Sequence, residues 1–217
     1  MKLLPNGHLV SGSMDKTIKI WNLNSGKCVL TLDEHCESIW CLELLPNGEL
    51  AIGSMDHTIT IWDISDFANP KCTKVLEGHN GHVFCFVVLN TGELVSASMD
   101  CTIKVWNMQN GTCLKTLIGH NYSVRCLKQL KSGELVSGSG DKTIKVWDLN
   151  KEECILTLEG HTSFLTCLEM LKTGELISGS GDNTIKIWDL KEGICIKTLK
   201  GHFDWIEDIR IEIIENI

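Results

Sequence analysis

The chain has few features of proteins that bind nucleic acid or span membranes. Its 217 residues include 20 Lys and Arg against 28 Asp and Glu, and only Arg125 and Arg210 are arginines. A net charge of -8 opposes a phosphate backbone, which is best held by guanidinium forks. No apolar run approaches the roughly 18 residues of a membrane helix, and M-K-L-L-P-N-G reaches a turn too early for a secretory signal. We therefore expect neither nucleic-acid nor membrane binding.

Zinc-site spacing is also missing, although the chain has 11 cysteines. No C-x-x-C pair occurs anywhere in the sequence, whereas structural zinc sites use such pairs. We therefore predict neither a metal nor any other cofactor. Many unpaired thiols are typical of a reducing compartment, so we expect a cytoplasmic or nuclear protein.

What the sequence does contain is one phrase in five near-copies. Each copy reads roughly G-E-L-V-S-G-S-x-D-x-T-I-K-V-W-D-L, followed by C-L-x-T-L-x-G-H. Its tryptophans are spaced 41, 44, 41 and 41 residues apart, at Trp21, Trp62, Trp106, Trp147 and Trp188. The histidines that end the copies are His35, His79, His120, His161 and His202. A period in the low forties with G-H and W-D marks predicts one four-stranded propeller blade per copy.

The cysteines follow the same repeat. Five stand seven residues after a tryptophan, or ten in one copy: Cys28, Cys72, Cys113, Cys154 and Cys195. Four stand six residues after a repeated histidine or its equivalent: Cys41, Cys85, Cys126 and Cys167. Cys36 and Cys101 fall outside both registers. A residue that recurs once per blade is expected to be a small apolar filler between sheets and not a reactive thiol.

The fourth copy shows how one blade is read as strands a to d. Alternation in S-V-R-C-L-K-Q-L predicts strand a, and Ser132-Gly133 predicts a two-residue hairpin because glycine tolerates positive φ. The small residues of E-L-V-S-G-S-G predict a strand b that neighbouring sheets approach closely. Asp141 then caps the turn into strand c, T-I-K-V-W-D-L, and C-I-L-T-L-E-G-H is the outer strand d. Such a sheet is apolar on both faces and must stack on its neighbours.

The whole chain is thus predicted to be a single all-β region, 1–217. The predicted boundaries are strands b–d of blade 1 at 8–34, blade 2 at 36–78, blade 3 at 80–119, blade 4 at 121–160, blade 5 at 162–201 and a C-terminal strand at 203–214. Three extra residues between Trp62 and Cys72 place Phe67 in the turn between strands c and d of blade 2. We interpret them as a tolerated loop insertion.

These motifs resemble the WD-repeat β-propeller family over nearly all of the chain. The dipeptide is Trp-Asn at Trp21 and Trp106 and Trp-Asp in the other three copies. The resemblance implies a rigid, non-catalytic platform for protein assembly. It also implies a buried network in each blade, formed by the G-H histidine, a serine of strand b, the turn aspartate and the tryptophan.

Carried over by register, this network has the following members. They are His79, Ser96, Asp100 and Trp106 in blade 3, His120, Ser137, Asp141 and Trp147 in blade 4, and His161, Ser178, Asp182 and Trp188 in blade 5. Blade 2 has His35, Asp56 and Trp62, but Ile52 replaces the serine. Ser, His and Asp also form hydrolase triads, yet an enzyme needs one exposed nucleophile in one cleft. Equivalent buried copies favour a structural role, so we predict no enzyme activity.

The ends of the chain leave two architectures open. Residues 1–6 match the end of a strand a, and 203–214 supply a strand a with no strand b after it. The C-terminal strand could complete blade 1, with His202 joining Ser11, Asp15 and Trp21, and close a five-blade ring. Alternatively, the chain is an open arc of a seven-bladed protein, where blades turn by about 51° instead of about 72°. An open arc exposes apolar blade faces and predicts self-association.

The resemblance also implies that partner peptides bind the face with the G-H loops and the b–c turns. Five residues after each G-H histidine stand Trp40, Phe84, Arg125, Thr166 and Glu207, and three after it stand Ser38, His82, Ser123, Phe164 and Trp205. Before each turn aspartate stand Met14, Met55, Met99, Gly140 and Gly181. Aromatic, Met and Arg residues are enriched at interface centres. We predict a hydrophobic peptide groove over blades 1–3, flanked by Arg125, unless these side chains fill the top of a central channel.

The leading functional hypothesis is therefore a scaffold that binds other proteins or peptide segments. A narrower alternative, by resemblance to F-box-type receptors, is a substrate-recognition subunit of a ubiquitin ligase complex. Those receptors show several arginines on this face, whereas here only Arg125 is present and no F-box segment is found. One arginine also disfavours phosphopeptide binding. A hydrolase and a purely structural subunit of a larger complex are the remaining alternatives.

Overall fold

The computed structural model describes residues 1–33 and 37–210, and their regular structure is entirely β. Five four-stranded antiparallel sheets are present, in agreement with the five predicted blades. No helix of the described residues is long and apolar enough to cross a bilayer. By contacts the chain divides into a unit of Met1–Ile118, with blades 1–3, and a unit of Gly119–Ile217, with blades 4 and 5.

Each blade contains four consecutive strands. Blade 1 has β1 (Lys2–Leu3), β2 (His8–Gly12), β3 (Ile18–Asn22) and β4 (Lys27–Leu32). Blade 2 has β5 (Ile39–Leu44), β6 (Leu50–Ser54), β7 (Ile59–Asp63) and β8 (Lys71–Leu76). Blade 3 has β9 (Val83–Val88), β10 (Leu94–Ser98), β11 (Thr102–Trp106) and β12 (Cys113–Ile118). Blade 4 has β13 (Val124–Gln129), β14 (Leu135–Ser139), β15 (Ile144–Asp148) and β16 (Glu153–Leu158). Blade 5 has β17 (Leu165–Met170), β18 (Leu176–Ser180), β19 (Thr184–Asp189) and β20 (Ile194–Lys200).

Strand b is the most buried strand of a blade because neighbouring sheets meet over it. Every residue of β6, β10, β14 and β18 is buried. A Cβ added to Gly138 would lie 2.6 Å from Cys126 Sγ and 2.8 Å from Leu165 Cβ of blade 5. Blade 2 has the same close approach, since a Cβ on Gly53 would lie 2.9 Å from Phe86 Cζ of blade 3. The predicted role of the small residues is therefore confirmed.

The turn between strands a and b has three residues, so the predicted two-residue hairpin is wrong. In blade 4, Leu130 N–H donates to Glu134 O at 2.8 Å and Gly133 N–H donates to Leu130 O at 3.0 Å. Gly133 has φ +109°. A three-residue loop of this kind places glycine at its left-handed position.

The two cysteine registers differ in burial, and the prediction of filler holds for one of them. Strand-a residues Cys126 and Cys167 are buried and Cys41 and Cys85 are half-buried, and burial raises the pKa of the Cys167 thiol. The strand-d residues are mostly exposed: Cys28, Cys72, Cys113 and Cys154. That part of the prediction is wrong because strand d is the outer edge of its blade, where a recurring residue has no neighbouring sheet to face.

Both ends of the described chain differ from a complete strand a. Lys2 and Leu3 pair with Val10 and Leu9, so blade 1 has its own short first strand. Residues 203–210 contain no strand, which corrects the predicted strand 203–214 over that range, and 211–214 lie outside the described residues. One hydrogen bond, from Ile206 N–H to Ser180 O at 3.2 Å, joins this segment to strand b of blade 5. A strand requires a ladder of such bonds.

Candidate functional site

Blade 4 contains a continuous chain of side-chain hydrogen bonds from its tryptophan to its aspartate. Trp147 Nε1–H donates to Ser137 Oγ at 2.8 Å, and Ser137 Oγ lies 2.7 Å from His120 Nε2. His120 Nδ1 lies 2.8 Å from Asp141 Oδ2. Ser137 is fully buried and His120 is 6% exposed. The structure thus brings together the four residues that register assigns to this blade.

Blades 3 and 5 repeat the arrangement with almost the same distances. The histidine–serine distance is 2.7 Å in both, and the histidine–aspartate distance is 2.8 Å in both. The bond from tryptophan to serine is 2.8 Å in both. The residues are His79, Ser96, Asp100 and Trp106 in blade 3, and His161, Ser178, Asp182 and Trp188 in blade 5. Such a fully bonded network specifies one packing arrangement.

Each bond in the chain is satisfied when the histidine is neutral. In blade 5 the serine hydroxyl then donates to His161 Nε2, and His161 Nδ1–H donates to Asp182. Burial lowers the pKa of His161, although Asp182 acts in the opposite direction. The uncharged ring is therefore the form that this environment favours.

The aspartates accept more hydrogen bonds than the histidine supplies. Asp141 Oδ2 also accepts Asn121 N–H at 2.9 Å, and Oδ1 accepts Thr143 N–H at 2.9 Å and its hydroxyl at 2.7 Å. Burial alone raises the pKa of Asp141, but the bonds from His120, Thr143 and Asn121 outweigh it and hold the pKa well below its usual range. In blade 5 the same balance lowers the pKa of Asp182 to about 2.

Acid is expected to destabilise blade 5. Asp182 ionises at a lower pH in the folded chain than in the unfolded one, so its stabilisation is complete above the unfolded pKa and decreases as the pH falls toward 2. His161 acts in the same direction below about pH 6.5, because the unfolded histidine takes up a proton more readily. We expect Asp182 to lose about 1 kcal/mol by pH 3, after allowing for screening by water.

Urea unfolding followed by tryptophan fluorescence between pH 7 and pH 3 tests this expectation. In Asp182→Asn the group cannot titrate, so the slope between pH 5 and pH 3 is expected to be smaller than in the wild type. Equal slopes in the two proteins would contradict the assignment.

Blades 1 and 2 contain modified networks. In blade 2, where Ile52 replaces serine, Trp62 Nε1–H donates instead to Thr60 Oγ1 of its own strand at 3.0 Å. Asp56 accepts Thr58 N–H at 2.9 Å, and His35 lies outside the described residues. In blade 1, Trp21 Nε1–H donates to Ser11 Oγ at 2.8 Å, and Asp15 accepts Thr17 N–H at 2.9 Å. The predicted shortening of the blade 2 network thus has a specific form, which is a bond within strand c.

The G-H loop and the b–c turn of each blade lie next to each other, on the same side of the blade, as expected from their positions in the repeat. Met55 N–H donates to Ser38 O at 3.0 Å, and Met99 N–H donates to His82 O at 2.8 Å. The same bond joins Gly140 to Ser123 and Gly181 to Phe164. We call this side of the blades the G-H face.

In the unit of blades 1–3, the G-H face contains an aromatic cluster. Trp40, which is 47% exposed, meets Phe84 edge-to-face at 5.3 Å between ring centroids. His82 lies 6.2 Å from Phe84 and 5.7 Å from His57. The predicted methionines are exposed at Met14 and Met99 and half-buried at Met55. Sequence reasoning singled out Trp40 and Phe84 but gave no role to His57, which has φ +75° in its turn.

In the unit of blades 4 and 5, the G-H face carries a second cluster, centred on Phe164. The Arg125 guanidinium lies 4.7 Å from the Phe164 ring centroid, within the range of a cation–π contact. Trp205, which is 58% exposed, meets Phe164 edge-to-face at 5.0 Å. Arg125 was predicted to flank a groove, whereas its position over Phe164 was not predicted.

The change from methionine to glycine before the turn aspartates has a steric cause. A Cβ on Gly181 would lie 2.7 Å from Phe164 Cε1, and one on Gly140 would lie 2.4 Å from Tyr122 Cδ1. Glycine therefore makes room for an aromatic side chain of the G-H loop in blades 4 and 5. The sequence shows both residues of each pair but not that they touch.

Comparison with known proteins agrees with this architecture. The family model "WD domain, G-beta repeat" matches residues 1–22, 26–63, 70–107, 111–148 and 152–189. A stretch of 39 residues, 18% of this chain, is 44% identical to proteins called Mitochondrial division protein 1 from Phaeosphaeria nodorum and Pyricularia oryzae. The match spans only 6% of the length of each of these relatives. Because the five matched ranges cover well over half of the residues, the chain belongs to the WD domain, G-beta repeat family.

Proposed function

We propose that the chain is a non-catalytic interaction scaffold that binds a hydrophobic peptide segment of a partner protein on the G-H face of blades 1–3. WD repeats are typical of protein-interaction scaffolds, and the edge-to-face pair of exposed Trp40 and half-buried Phe84 is the observation that carries the proposal. Large rigid aromatic side chains contribute much of the energy at interface centres. Met14, Met55 and Met99 precede the turn aspartates of the same three blades, and methionine adapts to the shape of a partner.

The burial of the network serines supports the non-catalytic part of the proposal. Ser96, Ser137 and Ser178 are fully buried. Each hydroxyl oxygen is already bonded to a tryptophan and a histidine, as in Ser137 with Trp147 and His120. A nucleophile must instead reach a substrate next to an oxyanion site.

The likeness to Mitochondrial division protein 1 covers about the length of one repeat. It therefore supports an interaction module and carries no role in division to this chain. The more specific role of a ubiquitin-ligase receptor gains no support from Arg125, which lies over Phe164.

Replacing Trp40 and Phe84 together by alanine is expected to reduce partner recovery more than tenfold, because two central aromatic anchors are lost. Affinity purification with quantitative mass spectrometry measures the recovery. Leu114→Ala is the matched control, since Leu114 is also 47% exposed and lies in the same unit. The melting temperature of the double variant is expected to stay within about 2 °C of the wild type. Unchanged recovery would contradict the proposal, and a large fall in melting temperature would show that the rings serve folding.

A further inference from the structure

Blades 4 and 5 border an open cavity of about 1040 Å³ on the side opposite the G-H face. It lies among their a–b turns and the c–d turn of blade 5. Its apolar walls include Leu130, Leu156, Met170 and Leu190, which belong to the edge of the core that these two blades share. A concave, largely apolar site with a few polar groups is the usual form of a binding site.

One carboxylate oxygen in the cavity wall lacks a hydrogen-bond partner. Glu134 Oε2 is buried and unbonded. At the equivalent place in blade 2, Glu49 accepts the Thr73 hydroxyl at 2.7 Å and Lys74 Nζ approaches its carboxylate at 4.0 Å. In blade 4 the positions of Thr73 and Lys74, one and two residues after the strand-d cysteine, are held by Ile155 and Leu156, which cannot donate. An unsatisfied buried acceptor is costly and rare.

The chain itself fills the equivalent space between blades 1 and 2. Blades 1 and 4, and blades 2 and 5, are offset by 126 residues, as their tryptophans show (147 − 21 and 188 − 62). By this offset His8 is the equivalent of Glu134. Phe67 meets the His8 ring edge-to-face at 5.2 Å and packs on the core edge of blades 1 and 2.

Blade 5 has no side chain that could do the same. Its c–d connection has four residues, Leu190–Gly193, whereas blade 2 uses seven, 64–70, because of the three-residue insertion. The insertion, interpreted from the sequence as a tolerated loop, therefore places the Phe67 side chain as a plug between blades 1 and 2. Blades 4 and 5 lack such a plug.

The charges at the cavity mouth indicate which charged groups an occupant of the cavity would have. Lys131, Lys172 and Lys191 are exposed lining residues, and none forms an ion pair with a described residue. Of the other charged lining residues, Lys128 pairs with Glu169 at 2.6 Å, Glu175 accepts the Thr173 hydroxyl and Asp189 accepts Lys191 N–H, and Glu134 keeps a buried, unbonded oxygen. Free ammonium groups around an apolar cavity favour an occupant with carboxylates beside an apolar anchor.

We propose that this cavity binds an acidic segment of a partner protein that inserts one aromatic side chain, as Phe67 does between blades 1 and 2. The ring lies on Leu130, Leu156 and Met170. A backbone N–H of the segment donates to Glu134, and flanking carboxylates pair with Lys172 and Lys191. The surface is separate from the G-H face and does not depend on the function proposed there.

The probe is a fluorescein-labelled heptapeptide E-D-F-A-N-P-E, which contains the 66–70 sequence with one added glutamate at each end. We expect saturable binding in fluorescence anisotropy with a Kd of about 100 μM, as for a short flexible ligand. A peptide with alanine in place of phenylalanine is expected to bind at least about tenfold more weakly. Trp40→Ala/Phe84→Ala is expected to bind the probe as the wild type does, which separates the two surfaces.

Variants of the chain test the charge and the wall. Lys172→Glu/Lys191→Glu is expected to weaken binding about tenfold at low salt, whereas Lys200→Glu, an exposed site at the other end of blade 5, leaves it unchanged. Leu156→Lys gives blade 4 the lysine that blade 2 has at Lys74, so that an ammonium group lies beside Glu134. This variant is expected to abolish binding while the fold is retained.

Three results would overturn the proposal. The first is no saturable binding at about 1 mM probe. The second is that the alanine peptide binds as tightly as the probe, or that Lys172→Glu/Lys191→Glu binds the probe as tightly as Lys200→Glu does. The third is concentration-dependent self-association that Lys172→Glu/Lys191→Glu abolishes, which would assign the cavity to a second copy of the chain.

Discussion

Replacing Asp141 by alanine is expected to lower the free energy of unfolding by about 3–4 kcal/mol. The carboxylate accepts bonds from His120, from Asn121 N–H and from both the N–H and hydroxyl of Thr143. Alanine leaves these donors without their acceptor in a site where the Asp141 side chain is only 9% exposed. Loss of the His120 bond also releases the ring that orients Ser137 and Trp147, so the whole network of blade 4 is affected.

Asp15→Ala is the matched control for this prediction. Asp15 caps the same turn in blade 1 and accepts the N–H and hydroxyl of Thr17 at 2.9 and 2.7 Å, as Asp141 does from Thr143. Asp15 is exposed, so water replaces the carboxylate and the loss is expected to be about 1 kcal/mol. Urea unfolding gives both values. Equal losses would show that the turn cap, and not the buried network, accounts for the stabilisation.

Replacing Ser137 by isoleucine, the residue of blade 2, is expected to cost about 3–4 kcal/mol. The change removes the acceptor of Trp147 Nε1–H and the donor to His120 Nε2, and it adds volume where β14 is fully buried. Blade 2 tolerates Ile52 because Thr60 accepts the bond from Trp62. Blade 4 has Lys145 at that position, which cannot accept.

Adding Lys145→Thr to Ser137→Ile is therefore expected to recover about 1 kcal/mol, since it supplies Trp147 with a hydroxyl acceptor. Lys145→Thr alone is the control. It removes only an exposed bond to Thr157 and is expected to change stability by less than about 0.5 kcal/mol. A double-mutant cycle from urea midpoints measures the coupling. Strict additivity of the two changes would contradict the idea that the partner in strand c compensates for the missing serine.

Position within the repeat predicted the contacts that recur in every blade. The tetrad of His120, Ser137, Asp141 and Trp147 spans less than one repeat length, and its members meet because each blade folds the same way. Trp40 and Phe84 also stand at equivalent places, in the strands a of adjacent blades. Register fails where it must distinguish the outer strand of a blade from an inner one, as for the exposed thiol of Cys113 in strand d and the buried one of Cys126 in strand a.

The residues alone determined the number of blades, their β character and the bonds inside each one, because these depend on partners within about forty positions of each other. Only the folded arrangement decided which aromatic rings fill space and which leave it empty. Phe67 closes one gap between blades, Gly181 makes room for Phe164, and Glu134 faces an unfilled cavity. Each outcome depends on contacts between side chains that are set by packing in three dimensions and not by spacing along the chain.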